Sequence, residues 1–301
     1  MYPEETDRVA VIDVGSNSVR LLVAGRSGGQ FFPIYTGRVV TRLLEGLRDG
    51  VLSAPAMART AEAIQALAAE ARALGAQEIE AFGTSAMRDG GKNSRDLIEK
   101  AARAGVSLRV LSGEEEARLA YAGTAPAGNS GVIDIGGGST EFMTGRDGQV
   151  LAAASAQMGA VRLKEMSGGG TDPKKLLARA RAALEPAART ALIPPPEDGW
   201  VAVGGTFTAL AAMEQRLSRY DAAKIQGFRL TAGAAYAWLS RLTGMTNEER
   251  LKIPGLIPER ADIIPFGAAI AAACFGLVGV PFVTVSDRDN LLGYLKARPR
   301  A

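Results

Sequence analysis

The chain has 301 residues, a formal net charge of +3 and 22% charged residues, enough length for two domains with separate cores and too slight a charge to mark a nucleic-acid binder by composition. It contains no histidine, which removes histidine bases, histidine zinc ligands and the Ser-His and Cys-His nucleophile pairs, so acid–base chemistry must rest on carboxylates. No apolar stretch spans a bilayer uninterrupted, and Met1–Asp7 lacks both the basic and the apolar part of a leader, so a cytoplasmic protein with no membrane partner is expected.

Along the chain, the apolar run from Val9 meets Asp13, a Gly15-Ser16-Asn17-Ser18 turn follows, and Val19–Val23 is apolar again. This predicts a strand, a tight turn and a strand. Gln30–Val40 reads as a third strand, Ser53–Leu74 as a long amphipathic helix and Glu78–Phe82 as a short strand. That strand runs into a polar, glycine-bearing connection, Gly83–Asn93, placed where open α/β sheets hold ligands, beyond a strand's carboxyl end. A helix over Ser94–Ala104 and a strand over Val106–Leu111 follow. Ser112-Gly113-Glu114-Glu115 then fits a capping box that opens a helix over Glu114–Ala122.

Thr124–Ser130 has linker composition, which sets the expected domains at 1–126 and 127–301. The second begins with another apolar run to Asp134, a Gly136-Gly137-Gly138-Ser139-Thr140 turn and a second departing strand. A strand near Gln149–Ser155 and a helix over Pro173–Leu192 repeat the order of the first domain. Pro194-Pro195-Pro196 breaks the chain, and the strand Trp200–Val203 leads into a third glycine turn, Gly204-Gly205-Thr206, before a helix. Helices at Thr231–Leu242 and Arg260–Leu277, a strand at Phe282–Val285 and a terminal helix at Arg288–Ala297 complete the reading, with the return of that last helix onto the first domain left open. Cys274 lies in the apolar run Ala268–Leu277 and is expected to pack in the core.

The two hairpins look like copies of one another, and each carries small residues that let backbone N–H groups approach an anion as a nest. Gly15, Ser16, Asn17 and Ser18 in one, and Gly136, Gly137, Gly138, Ser139 and Thr140 in the other, are therefore expected to hold phosphate. Asp13 and Asp134 can hold a metal ion or its water ligands. Glu141 takes in the second copy the position of Arg20 in the first. A carboxylate beside a phosphate site repels the substrate unless a cation intervenes, so Glu141 reads as a Mg²⁺ ligand or a water-orienting group; the other reading is a strand-edge glutamate facing solvent. Thr84 and Arg88 sit in the polar connection, where Arg88 would grip two phosphate oxygens or be an exposed loop cation. Lys92, Asn93 and Arg162 are weaker candidates for the same work.

These residues carry a recognisable pattern. The chain resembles the exopolyphosphatase and guanosine pentaphosphate phosphohydrolase family, a branch of the actin, sugar-kinase and heat-shock ATPase superfold. The match runs through Ile12-Asp13-Val14-Gly15-Ser16-Asn17-Ser18, Thr84-Ser85-Ala86-Met87-Arg88-Asp89, Leu111-Ser112-Gly113-Glu114-Glu115-Glu116-Ala117-Arg118 and Ile133–Glu141. Met158–Leu163, Val203–Thr206, Pro258–Asp262 and Val285–Asp287 continue it. Two departures stand out: Lys92 holds a spacing where the family usually has Asn, with Asn93 one later, and Gln226-Gly227 replaces the usual His-Gly.

The resemblance implies an α/β fold of two duplicated actin-like (ribonuclease H-like) domains, each a mixed sheet flanked by helices, with a cleft between them. It implies a short, two-domain member without the helical metal domain of the long members. It assigns water activation to Glu116, whose other reading is a solvated first-turn glutamate like Glu114 and Glu115. It places Gly204, Gly205 and Thr206 where kinase relatives bind adenosine. The implied reaction is Mg²⁺-dependent release of terminal orthophosphate from inorganic polyphosphate, with a K⁺ requirement open and a homodimer as one assembly. Hydrolysis of guanosine pentaphosphate, a non-catalytic nucleotide or polyphosphate sensor and an actin-like kinase are the rival readings.

Overall fold

A computed structural model of the protein describes residues 7–28, 30–124, 126–192 and 195–297. Pro194 of the proline break, Ala125 of the linker and the first six residues, read above for a leader, lie outside the described residues. The chain divides into two compact units, 1–123 with 290–301, and 124–289.

The first unit opens with β1 (Asp7–Val14), β2 (Ser18–Ser27) and β3 (Gln30–Val40), an antiparallel meander. After α1 (Ala54–Ala73), β4 (Glu78–Gly83) pairs parallel to β1, and after α2 (Ser85–Asp89) and α3 (Ser94–Arg103), β5 (Ser107–Val110) pairs parallel to β4. The sheet order is β3-β2-β1-β4-β5. α4 (Gly113–Thr124) then starts at the predicted capping box: Ser112 Oγ accepts from Glu115 N at 3.1 Å, and Glu115 Oε2 accepts from Ser112 N at 2.8 Å. That reciprocal pair satisfies two of the donors a helix start leaves open. Ser85–Asp89, read as loop, forms a short helix whose final turn seats Gly90 against the Leu52 side chain, a tertiary contact that local propensity does not report.

The second unit repeats the plan. β6 (Asn129–Ile135), β7 (Thr140–Arg146) and β8 (Gln149–Ala156) form a second antiparallel meander, followed by α5 (Ala160–Met166) and α6 (Pro173–Ala191). β9 (Trp200–Val203) pairs parallel to β6. Next come α7 (Gly205–Glu214), α8 (Ala222–Ile225), β10 (Arg229–Thr231), α9 (Ala232–Thr243), α10 (Asn247–Arg250) and α11 (Ile264–Val278). β11 (Phe282–Val285) closes the sheet, whose order β10-β11-β9-β6-β7-β8 contains the arrangement of the first. α11 is apolar on all sides and buried from Ile264 to Phe275, with Cys274 inside the core it forms with α6 and α9; a helix without a polar face sits inside.

α12 (Asn290–Lys296) belongs to the first unit. Leu291, Leu292, Tyr294 and Leu295 share a core with Val9, Val11, Leu22, Ala24 and Phe82. Val9 and Val11, two apart on β1, lie on one face of the sheet, and α12 covers that face. Tyr294 stacks on Phe82 with ring centroids 5.0 Å apart and donates to Glu80 Oε2 at 2.8 Å. Gly293 lets α12 lie directly against the Leu119 carbonyl of α4, where any side chain would collide. No helix among the described residues is long and apolar enough to cross a membrane.

Candidate active site

The two β-hairpin turns are built alike down to their hydrogen bonds. Gly15 N donates to Ser18 O at 3.1 Å, and Gly136 N donates to Ser139 O at 3.0 Å. In each, the segment after the third strand straps the turn from behind. Thr41 N and Arg42 N donate to Asn17 O, and Leu44 N to Ser16 O. Ala160 N donates to Gly136 O, while Val161 N and Arg162 N donate to Gly137 O. With the carbonyls tied back, the N–H groups of Ser16, Asn17, Gly137 and Gly138 find no acceptor among the described residues. A row of backbone donors left without acceptors forms an anion nest. Ser16 Oγ and Asn17 Oδ1 are likewise buried with no hydrogen-bond partner there.

Gly159 packs on the backbone of Gly137 and Gly138, leaving no room for a Cβ. Gly159→Ala is expected to push the second turn out of shape, lowering stability by about 1–3 kcal/mol and weakening phosphate binding, as thermal unfolding with and without orthophosphate would read.

Around the first turn stands a cluster of alternating charge. Asp13 lies directly opposite Arg20 in the β1–β2 register, and Arg20 donates to Asp13 Oδ2 through Nε at 3.0 Å and Nη2 at 2.5 Å. The strand ends of β1 and β4 run side by side, which places Thr84, buried at the start of α2, beside the first turn; its N–H donates to Val14 O. One helical turn later Arg88 Nη1 donates to Glu116 Oε2 and Leu111 O, both at 2.8 Å. Arg88 Nη2 is buried and has no hydrogen-bond partner among the described residues.

The three consecutive glutamates at the start of α4 have three different surroundings. Glu114 bridges Arg118 at the surface. Glu115 serves the capping box, and the Ser112 N–H holds its carboxyl below the usual carboxylate range. Glu116 turns inward and is 7% exposed. Burial pushes its carboxyl up to about 7 against the opposing pull of Arg88, with Asp13 adding to the rise and Arg20 to the fall.

In the second unit the register sets Asp134 opposite Glu141 on β6 and β7. Both are buried, and Glu141 Oε1 accepts from Ser155 Oγ at 2.7 Å. Where the first hairpin opposes an acid to a base, the second opposes two acids. Like charges directly opposite destabilise a sheet unless a cation comes between them. Among the described residues no three His, Cys, Asp or Glu side chains cluster as a full metal cage, and Mg²⁺ needs none: one or two carboxylates plus substrate phosphates suffice. The donor pair Asp134 and Glu141 fits that ion. Gly204, at φ +89°, brings the third glycine turn against Asp134 Oδ1, and the Arg260 guanidinium lies over Gly205. Thr206 is buried against Gly267.

Several residues singled out from the sequence have partners within the protein. Asp13, expected beside the metal, is held by Arg20. Thr140, expected on phosphate, directs its hydroxyl inward to Met158 O at 2.6 Å. Arg162 braces the second turn through Nε to Gly138 O at 2.7 Å. Asn93 clamps the Leu52 backbone with both ends of its amide, each at 2.9 Å, and Lys92 is exposed. Gln226, where the family usually has His, accepts from Ser286 Oγ and Asp287 N, fixing the turn after β11. Sequence reasoning missed Arg20 and Arg260 as parts of these clusters. The only signal for Arg20 was its place opposite Asp13.

The chain is similar to known proteins over most of its length. The sequence model of the Ppx/GppA phosphatase family matches residues 22–288. Exopolyphosphatase 2 of Mycobacterium tuberculosis is 35% identical over 315 residues, covering 95% of this chain and 97% of that protein. Among solved structures, a PPX-GPPA enzyme of Aquifex aeolicus shares 29% identity at a TM-score of 0.79, covering 98% of this chain and 100% of that one. An exopolyphosphatase from Cytophaga hutchinsonii shares 25% identity at a TM-score of 0.86 over 96% of each chain.

Proposed function

Because the chain belongs to the Ppx/GppA phosphatase family of phosphoanhydride hydrolases, with its two duplicated actin-like units, we propose that it is a cytoplasmic exopolyphosphatase. It would remove terminal orthophosphate from inorganic polyphosphate by in-line attack of water. The observation that carries this reading is Glu116: a buried carboxylate paired with Arg88 and within electrostatic reach of Asp13 and Arg20, with a proton affinity raised to about 7. A base poised near the working pH combines a useful deprotonated fraction with real driving force for taking a proton.

In the proposed reaction Glu116 accepts a proton from water as the water oxygen bonds to the terminal phosphorus. The bridging P–O bond breaks, and the shortened chain leaves with the bridging oxygen. Arg88 orients Glu116 through Nη1 and offers Nη2 to a phosphate oxygen. In the first unit the N–H groups of Ser16 and Asn17 would bind phosphate oxygens without adding side-chain charge, and in the second those of Gly137 and Gly138 would do the same. Asp134 and Glu141 would hold Mg²⁺, which supplies charge neutralisation at the phosphates. Asp13 holds Arg20 in place.

Guanosine pentaphosphate ends in the same anhydride, so the deciding experiment compares it with long and short polyphosphate. Orthophosphate release is followed with Mg²⁺ present, each substrate beside Glu116→Gln. The proposal expects release from polyphosphate by the natural protein and none from the variant. Release confined to guanosine pentaphosphate would move the assignment to that substrate, and binding without release from any of them would overturn hydrolysis.

A further inference from the structure

The charge cluster of the first unit contains a residue from the far end of the chain. Asp13 continues the stripe of Val9 and Val11 on β1, and Arg20 continues that of Leu22 and Ala24 on β2, because alternate residues of a strand share a face. α12 lies along that stripe. Its first residue, Asn290, is 4% exposed, and Asn290 Oδ1 accepts from Arg20 Nη2 at 2.7 Å.

Arg20 donates twice to one oxygen of Asp13, Oδ2. The Asn290 carbonyl holds the same guanidinium at a point away from that oxygen. Docking of the helix does not require a polar residue here. Leu291, Leu292 and Leu295 supply apolar contact, Tyr294 supplies a stack and a hydrogen bond, and Gly293 supplies the close approach to α4. A buried amide at the end of such a helix carries a desolvation cost that a leucine would not, unless its hydrogen bond offsets it.

We propose that Asn290 is a positioning residue: it sets the orientation of Arg20, and through the Asp13 ion pair the alignment of the charges beside Glu116 and the first phosphate turn. The kinetic consequence rests on the hydrolase reading above; the contact itself does not.

The test compares Asn290→Leu, which removes the acceptor and keeps bulk, with Asn290→Asp, which keeps an acceptor oxygen at the same reach. Two readouts are taken on the full chain: the Arg20 Nε–H resonance and its exchange with solvent by NMR, and kcat and KM for phosphate release. The expected result is a protected Arg20 signal in the natural protein and in Asn290→Asp, and a shifted, fast-exchanging one in Asn290→Leu. That variant is also expected to lose about tenfold in kcat, with KM within about twofold and an unchanged unfolding midpoint, while Asn290→Asp stays within about threefold of the natural kcat. An Arg20 signal unmoved in Asn290→Leu would overturn the proposal, as would an unchanged kcat or a loss that Asn290→Asp does not restore. Were the natural protein to release no phosphate, the hydrolase reading would fall and the Arg20 signal alone would decide for or against Asn290.

Discussion

Glu116→Gln is expected to lower kcat for orthophosphate release by about 10³-fold while leaving KM within a few-fold, because the amide keeps size and a hydrogen-bonding oxygen but cannot take a proton. The pH dependence follows from the same carboxyl. Burial raises it to about 7, and the base must be ionised to act, so kcat/KM is expected to fall about tenfold per pH unit below 7 and to level off above it. A carboxylate at its ordinary value would give a flat profile from about pH 5.5 upward. Arg88 pulls the Glu116 value down, so Arg88→Met is expected to move the acid limb to higher pH as well as to weaken phosphate binding. A profile flat between pH 5 and 8 would remove Glu116 from the role of base.

Glu141→Gln carries the second large effect. Removing one of the two opposed carboxylates leaves Asp134 as a single anionic donor, a weaker site for a hard cation. The variant is expected to need at least tenfold more Mg²⁺ for half-maximal activity and to lose about 10²-fold in kcat at moderate Mg²⁺. A binding readout independent of turnover accompanies this. Mg²⁺ is expected to raise the unfolding midpoint of the natural protein, since a ligand that binds only the folded state stabilises it, and to raise that of Glu141→Gln far less. Equal stabilisation of both proteins would place the cation elsewhere.

Much of the fold is legible in the sequence because strands and turns here are local events. Each hairpin announces itself by an apolar run, a small-residue turn and a second apolar run, and both lie where that pattern puts them. The capping box at Ser112 is equally local. What the sequence hides depends on distant partners. α2 and α5, five and seven residues long, escape any periodicity test. The clamp of Asn93 on Leu52 is set by a loop 41 residues away, and Arg20 meets Asn290 across 270 residues. Thr140 shows the limit of composition within a motif: a hydroxyl in a glycine turn suggests phosphate, yet the pleat directs this one inward to Met158.

The first unit is interrupted: residues 1–123 make most of it, and its last helix returns only after residue 289. Synthesis proceeds from the N-terminus, and domains generally fold as units while the chain emerges. The whole of the second unit is therefore available to fold before the first can be finished. A nascent chain that has emerged only as far as β11 holds Glu116 and both hairpin turns, but lacks the helix that covers Val9, Val11 and Phe82. The ribosome thus delivers Glu116 early, and the helix that covers the sheet beneath it only after the whole of the second unit.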